Sequence, residues 1–171
     1  GSTFKLMAMV RALEDKVIDT SDVIDTKNGI LSFYGRKVRD SKKGGYGKIS
    51  AARAFEVSSN TALVQIINDN YQDKPEKFVE GLFDMKINTP LGLPILGEGV
   101  PKFTHPNDKV NWDGLDLPWM AFGYGISLTP LQTLTFYNAI ANNGVMVKPR
   151  FIKEVKQFDQ VVEKFDTEII S

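Results

Sequence analysis

The sequence predicts an α+β fold, predominantly helical, and three features carry that prediction. Apolar residues recur at helical spacing around residues 2–16, 50–68, 75–85 and 129–144. Short apolar runs punctuated by Gly or polar residues occupy 30–47 and 145–170, the pattern of extended segments joined by turns. The stretch 88–118 carries neither period and is rich in Gly and Pro, so it reads as a long irregular connection, a kind of segment that is often functional in compact domains.

Taken in order, the first predicted helix runs from Ser2 to about Lys16. Its apolar positions Phe4, Leu6, Met7, Met9, Val10, Leu13 and Val17 cover more than one stripe, which predicts burial on most sides. Two Asp-bearing turns follow, and then ILSFYGRKVRDSKKGGYG predicts a hairpin or extended loop. A second helix is predicted from Ser50 to about Asn68, with Ala51, Ala54 and Val57 before, and Ala62, Leu63, Ile66 and Ile67 after, the polar interruption Ser58-Ser59-Asn60. Pro75 opens a third helix to about Met85, because proline is tolerated in a first turn. Thr129 and Pro130 form the cap and first position of a fourth, which Gly144 stops. From Val145 to Ile170 two extended segments are expected around a turn at Asp159-Gln160.

Composition narrows function by exclusion. A chain of 171 residues with 42% hydrophobic content can bury a sizeable core, and residues 1–171 are read as one domain. Its 21 basic and 21 acidic residues cancel, so no broad electrostatic argument supports nucleic acid or an anionic membrane as partner. Without cysteine, thiolate catalysis, disulfides and Cys-based zinc sites are excluded, and the single His105 leaves no room for a His-rich metal site. A Ser-His-Asp triad would rest on His105, which reads instead as a loop residue with no partnered nucleophile. Neither a signal peptide nor a bilayer-spanning apolar run is present.

Two short patterns carry chemistry. Ser2 and Lys5 stand three apart on a nascent helix, so hydroxyl and amine share a face, and an amine that loses its proton can activate the hydroxyl as a nucleophile. Alone the pair is weak, because roughly one such spacing arises by chance in a chain of this size. Ser58 and Asn60 interrupt an apolar helical run, and taken singly each reads as a helix cap. Gly123-Tyr124-Gly125 reads either as the floor of a substrate cleft or as a close backbone approach. The basic residues Arg36, Lys37, Arg39, Lys42, Lys43 and Lys48 around Asp40 read as a solvated hairpin.

The conjunction is more specific than its parts. GSTFK, then VSSN, then GYGISLTPLQTLTFYNAIANNGVMVKPRFIKEV resembles, in order and at about the family's spacing, the transpeptidase domain of penicillin-binding proteins, most closely the class B enzymes. The resemblance runs over essentially the whole chain. The family's third motif, Lys-Thr-Gly on an edge strand, does not occur here. The resemblance therefore implies the central helical portion of the β-lactamase/transpeptidase-like fold, with a short hairpin near the C-terminus and most of the central sheet absent.

It also implies a mechanism. Ser2 attacks the penultimate D-alanine carbonyl of a peptidoglycan stem peptide, with Lys5 as general base. Ser58 relays a proton to the leaving amine, Asn60 holds the lysine and the substrate carbonyl, and Tyr124 lies on the substrate side. No metal or organic cofactor is implied. The implied partners are stem peptides ending in D-Ala-D-Ala, β-lactam antibiotics and, through a longer parent anchored in the bacterial cytoplasmic membrane with this domain on its outer side, division or elongation proteins. Because the family's oxyanion hole takes one N–H from the Lys-Thr-Gly strand, little acylation is expected of residues 1–171 alone. Surface exposed where the sheet belongs predicts self-association. A hydrolytic relative, either a D,D-carboxypeptidase or a serine β-lactamase, shares the same residues, and a non-catalytic sensor or scaffold module is the alternative from another class.

Overall fold

A computed structural model describes residues 1–171. It is α+β with helices dominant. Six α-helices are interleaved with eight short strands, which pair as four separate two-stranded antiparallel sheets.

The chain starts with a single 3₁₀ turn, Ser2–Phe4, that runs directly into α1 (Lys5–Glu14). The helix ends where Lys16 turns left-handed (φ 56°), with Lys16 N–H on Leu13 O at 3.0 Å and Val17 N–H on Ala12 O at 3.1 Å. Met7, Ala8, Met9 and Ala12 of α1 are buried, as the multi-sided apolar pattern predicts.

Strand β1 (Val23–Asp25) follows, then the hairpin β2 (Ile30–Phe33) and β3 (Arg36–Arg39), whose turn residues Tyr34 and Gly35 both take positive φ. Two consecutive left-handed residues match the twist of a two-residue hairpin. Strand β4 (Lys48–Ser50) pairs back on β1, a pairing between distant segments that the sequence does not announce.

The predicted helix 50–68 is two helices. α2 (Ala51–Glu56) and α3 (Asn60–Tyr71) are separated by Val57-Ser58-Ser59, and Ser58 takes φ 55°. The backbone turns here because Ser58 N–H bonds Phe55 O and Ser59 N–H bonds Ala54 O, both at 2.9 Å, before Ser59 caps the next helix. α3 is the central element. Its Ala62, Leu63, Val64, Ile66, Ile67 and Tyr71 are buried, and it packs against α1, α4 (Pro75–Asp84) and the short α5 (Asp116–Met120). Fully burying a side chain such as Leu63 or Ile67 stabilises by about 1.5–3 kcal/mol.

The junction of α1, α3 and α4 is also tied by polar groups. Tyr71 Oη donates to Asp15 at 2.8 Å, and Asp15 is paired with Arg11 and, at 3.5 Å, with Lys77. Burial of the Asp15 carboxyl opposes ionisation, but the Tyr71 and Arg11 hydrogen bonds outweigh it and hold the group below the usual carboxylate range. Gly81 of α4 makes room for this network, since a Cβ there would lie 2.0 Å from Arg11 Nε.

The stretch read as irregular, 88–118, does hold order from its middle onward. β5 (Lys102–Phe103) pairs with β6 (Ile126–Ser127), and α5 begins at Asp116. α6 (Pro130–Ala141) has the predicted start, with a complete capping box. Thr129 Oγ1 accepts from Gln132 N–H at 3.1 Å, and Gln132 Oε1 accepts from Thr129 N–H at 2.7 Å. Beyond Gly144 the hairpin β7 (Glu154–Gln157) and β8 (Gln160–Lys164) turns at Phe158-Asp159, both left-handed, one residue earlier than predicted. No helix is long and apolar enough to cross a membrane.

Candidate active site

The buried lysine of α1 is the centre of the site. Lys5 is 1% exposed, at the point where the 3₁₀ turn meets the α-helix. Its ammonium donates to Ser58 O at 2.6 Å and to Ser58 Oγ at 2.9 Å. The left-handed backbone of Ser58 is what lets one residue present both oxygens to the same amine. A non-glycine residue in that conformation costs about 1–3 kcal/mol, and unlike Lys16, Tyr34, Phe158 and Asp159, which adopt it at a helix end or hairpin turns, Ser58 directs its oxygens at a buried amine.

Burial pulls the Lys5 amine down to about 8, while the negative charge of Asp40 pushes the other way. At pH 7.5 about a quarter of an amine with that value is neutral, against about 0.1% of a free lysine. The group is thus poised to accept a proton near neutral pH.

Ser2 stands one 3₁₀ turn before Lys5 and is exposed. In a 3₁₀ turn residues three apart eclipse one another, so Ser2 lies on the Lys5 face. The two Lys5 hydrogen bonds go to Ser58, which leaves one of the three ammonium positions for another oxygen. Asn60 is the first residue of α3 and donates from Nδ2 to Arg39 O at 2.7 Å. It tethers the end of β3 to the helix start, and no hydrogen bond joins it to Lys5. The cap is Ser59, whose Oγ accepts from Ala62 N–H at 3.0 Å. Capping thus explains the middle residue of the triplet and leaves Ser58 for Lys5.

Gly123 makes the close backbone approach. It has φ 88°, its carbonyl accepts from the Gly1 backbone nitrogen at 2.8 Å, and a Cβ would lie 2.3 Å from Gly1 O. Tyr124, beside it, is 58% exposed and packs on Phe122 with ring centroids 5.2 Å apart. Tyr137 of α6 donates to Thr3 O at 3.0 Å, a second tether on the turn that carries Ser2. A cleft of about 180 Å³ runs past this turn, lined by Thr3, Phe4, Gly123, Ser127 and Thr133 among others. A larger hollow of about 540 Å³ lies against the C-terminal hairpin, and neither this hollow nor the smaller cleft is lined by Ser2, Lys5, Ser58 or Asn60, although the smaller one adjoins the turn that carries Ser2. Position relative to Lys5, not volume, marks the site.

The basic residues Arg36, Lys37, Arg39, Lys42, Lys43 and Lys48 are all exposed, as a solvated hairpin requires, but Asp40 among them is not a surface counter-ion. Its carboxylate accepts from Ser59 Oγ at 3.0 Å, Thr61 N–H at 2.9 Å and Thr61 Oγ1 at 2.7 Å, at the first turn of α3. The only advance signal is a lone acid in a basic run. His105 is a loop residue as expected, with Nδ1 accepting from Asn107 N–H at 3.1 Å and its ring 5.9 Å from that of Phe83. No group of three or more His, Cys, Asp or Glu side chains converges in the chain.

The structure thus places a lysine of lowered proton affinity against Ser58 and one turn after the exposed Ser2, to whose hydroxyl no hydrogen bond runs, on an α+β scaffold. The chain belongs to the penicillin binding protein transpeptidase domain family, whose model matches residues 1–170. It is 30% identical over 155 residues to penicillin-binding protein PbpB of Mycolicibacterium smegmatis, covering 90% of this chain and 22% of that protein. It is 28% identical over 146 residues to the peptidoglycan D,D-transpeptidase FtsI of Buchnera aphidicola, covering 85% of this chain and 24% of that one. Among solved structures, penicillin binding protein 3 of Mycobacterium tuberculosis, complexed with aztreonam, superposes with a TM-score of 0.74 at 26% identity, over 98% of this chain and 36% of that one. The chain thus spans less than a quarter of the length of these two curated relatives.

Proposed function

We propose that residues 1–171 are the part of a bacterial peptidoglycan D,D-transpeptidase that carries its nucleophile and its base, acting on the outer side of the cytoplasmic membrane. The observation that carries this reading is the buried Lys5 amine, lowered to about 8 and hydrogen-bonded to Ser58 Oγ at 2.9 Å, one turn after the exposed Ser2.

Neutral Lys5 accepts the proton of Ser2 Oγ as that oxygen bonds to the penultimate D-alanine carbonyl carbon of a stem peptide. The N-terminal amides of the 3₁₀ turn and α1 favour the negative charge that develops there. The proton then passes from Lys5 through Ser58 Oγ to the leaving nitrogen. The carbonyl–nitrogen bond breaks, and D-alanine departs from a Ser2 ester. An amine of a second strand attacks the ester carbonyl carbon and gives its proton to neutral Lys5, which passes it to Ser2 Oγ as the ester C–O bond breaks, so the cross-link forms and Ser2 is free again. Asn60 Nδ2 gives one hydrogen to Arg39 O and has a second for the substrate carbonyl, and the exposed Tyr124 ring contacts the substrate beside Gly123. A β-lactam ring offers Ser2 the same carbonyl without a departing group, which makes the ester long-lived. Division or elongation proteins are the partners of the longer protein.

The reading is tested on the full-length gene product containing this chain, incubated with a D-Ala-D-Ala stem peptide and excess D-amino acid. Formation of the exchanged peptide, lost in Ser2→Ala and lowered at least 100-fold in Lys5→Met, supports transfer through Ser2. Release of D-alanine with no exchange product identifies a carboxypeptidase, and neither product from a folded protein refutes the enzymatic reading.

A further inference from the structure

We propose that Asp40 is a positioning residue of the Lys5–Ser58 site: its carboxylate clamps the first turn of α3, fixing the α2–α3 junction that aims Ser58 at Lys5, and places a negative charge behind that junction. The inference rests on the site proposed above.

The geometry is that of a clamp between distant segments. Asp40 follows β3 directly, and its backbone N–H bonds Gly29 O at 2.9 Å, so the residue is anchored to the start of the β2–β3 hairpin. Its two carboxylate oxygens then take three donors from the cap and first turn of α3: Ser59 Oγ, Thr61 N–H and Thr61 Oγ1, at 2.7 to 3.2 Å. Asn60, between these two residues, bonds Arg39 O at 2.7 Å. Three consecutive residues of the helix start are therefore held by two consecutive residues of the hairpin end. Ser58 immediately precedes them. Its strained backbone persists only where the surroundings over-determine it, and this cross-linking does so.

The charge is as informative as the hydrogen bonds. Asp40 lies within RKVRDSKK, yet none of the chain's ion pairs includes it. Its carboxylate is turned away from the neighbouring bases and toward a helix N-terminus, where the exposed amides and the helix dipole stabilise an anion. Among charged groups, Asp40 is the one whose field raises the proton affinity of Lys5, opposing desolvation. The residues of the junction, Ser58, Ser59, Asn60 and Thr61, carry no charge of their own. Asp40 thus favours the protonated amine, the form that holds a proton for a leaving nitrogen, against the burial that favours the neutral one.

The test follows the Lys5 side chain directly, in this chain, by NMR of lysine labelled with 13C at Cε, with amide hydrogen exchange measured alongside. Asp40→Asn preserves the shape and removes the charge. The expected result is a fall of the Lys5 titration midpoint by at least about half a unit, because the charge that favours the ammonium is gone. A midpoint within about 0.2 unit of the wild type in folded Asp40→Asn overturns the proposal. Should Asp40→Asn fail to fold, Thr61→Val, which removes one donor and no charge, is decisive. Exchange of the Ser59 and Thr61 amides accelerates at least about tenfold if the clamp holds the junction, and unchanged exchange overturns it. Neither readout requires acylation of Ser2, so failure of this proposal is separable from failure of the transpeptidase reading. In the full-length gene product, Asp40→Asn also moves the acid limb of the acylation–pH profile in the same direction as the Lys5 midpoint, a shift that mere loosening of the fold would not produce.

Discussion

Lys5 makes the stability of this chain depend on pH in an unusual window, and replacing it by methionine removes that dependence. Folding lowers the amine from the free-lysine value of 10.5 to about 8. Between these two values the unfolded chain binds more protons than the folded one, so stability rises with pH. The desolvation penalty is fully present below pH 8 and disappears as pH climbs toward 10.5. Integrating the two titrations from pH 7 to pH 9.5 gives a gain of about 2 kcal/mol. The window closes there because burial raises the Tyr71 and Tyr137 phenols above their usual value, so above about pH 10 the unfolded chain loses protons first and the slope reverses. Lys5→Met keeps the length of the side chain and removes the charge. It leaves Ser58 O and Oγ without a donor but also removes the penalty for the buried ammonium. Its stability at pH 7 should therefore stay close to that of the wild type. Urea unfolding at the two pH values reads the effect: with a slope of about 2 kcal/mol/M, the wild-type midpoint rises by about 1 M and that of Lys5→Met stays level. A wild-type midpoint that does not move, or a variant that moves as far, would show that Lys5 is ordinarily solvated and refute the argument.

Three further outcomes follow from the same geometry. Ser58→Ala loses the hydroxyl that accepts from Lys5 and keeps the left-handed strain, whereas Ser58→Gly loses the hydroxyl and relieves the strain. Urea unfolding should find the glycine variant more stable by about 1 kcal/mol, the reverse of the usual cost of glycine. Gly123→Ala places a methyl against the Gly1 carbonyl at a left-handed position and should destabilise by about 1–3 kcal/mol, with loss of order at Thr3 detectable by NMR. Tyr71→Phe removes a donor from the charged Asp15 and should cost about 1.5–3 kcal/mol at neutral pH. Because Asp15 is held below the usual carboxylate value, that difference should shrink as pH falls below about 4 and the carboxylate protonates, which an acid series of unfolding curves would show.

What could be read in advance divides along physical lines. Helices of three turns announced themselves, because α1, α4 and α6 are long enough for an apolar period to repeat and α6 carries its own cap in Thr129-Pro130. The five-residue α5, with Pro118 inside it, is too short to show a period. The β1–β4 and β5–β6 pairs join segments of two or three residues that meet only after the intervening chain has folded, so no local alternation marks them. At the site, Ser2, Lys5 and Ser58 were legible as residue types in order. What was not legible is that Ser58 leaves the helix altogether: three polar residues in an apolar run look like a defect in one helix, not a boundary between two. Asp40 was obscured by composition, since six basic neighbours make an acid look like a surface counter-ion. That it serves a helix starting some twenty residues later is a property of the folded path.

The most direct test of the central claim is the intact mass of the full-length gene product after exposure to benzylpenicillin, with Ser2→Ala as control. The account predicts one penicilloyl adduct per molecule, mapped by digestion to the peptide containing Ser2 and absent from the alanine variant. An adduct on another residue, or none on a folded protein, would contradict it.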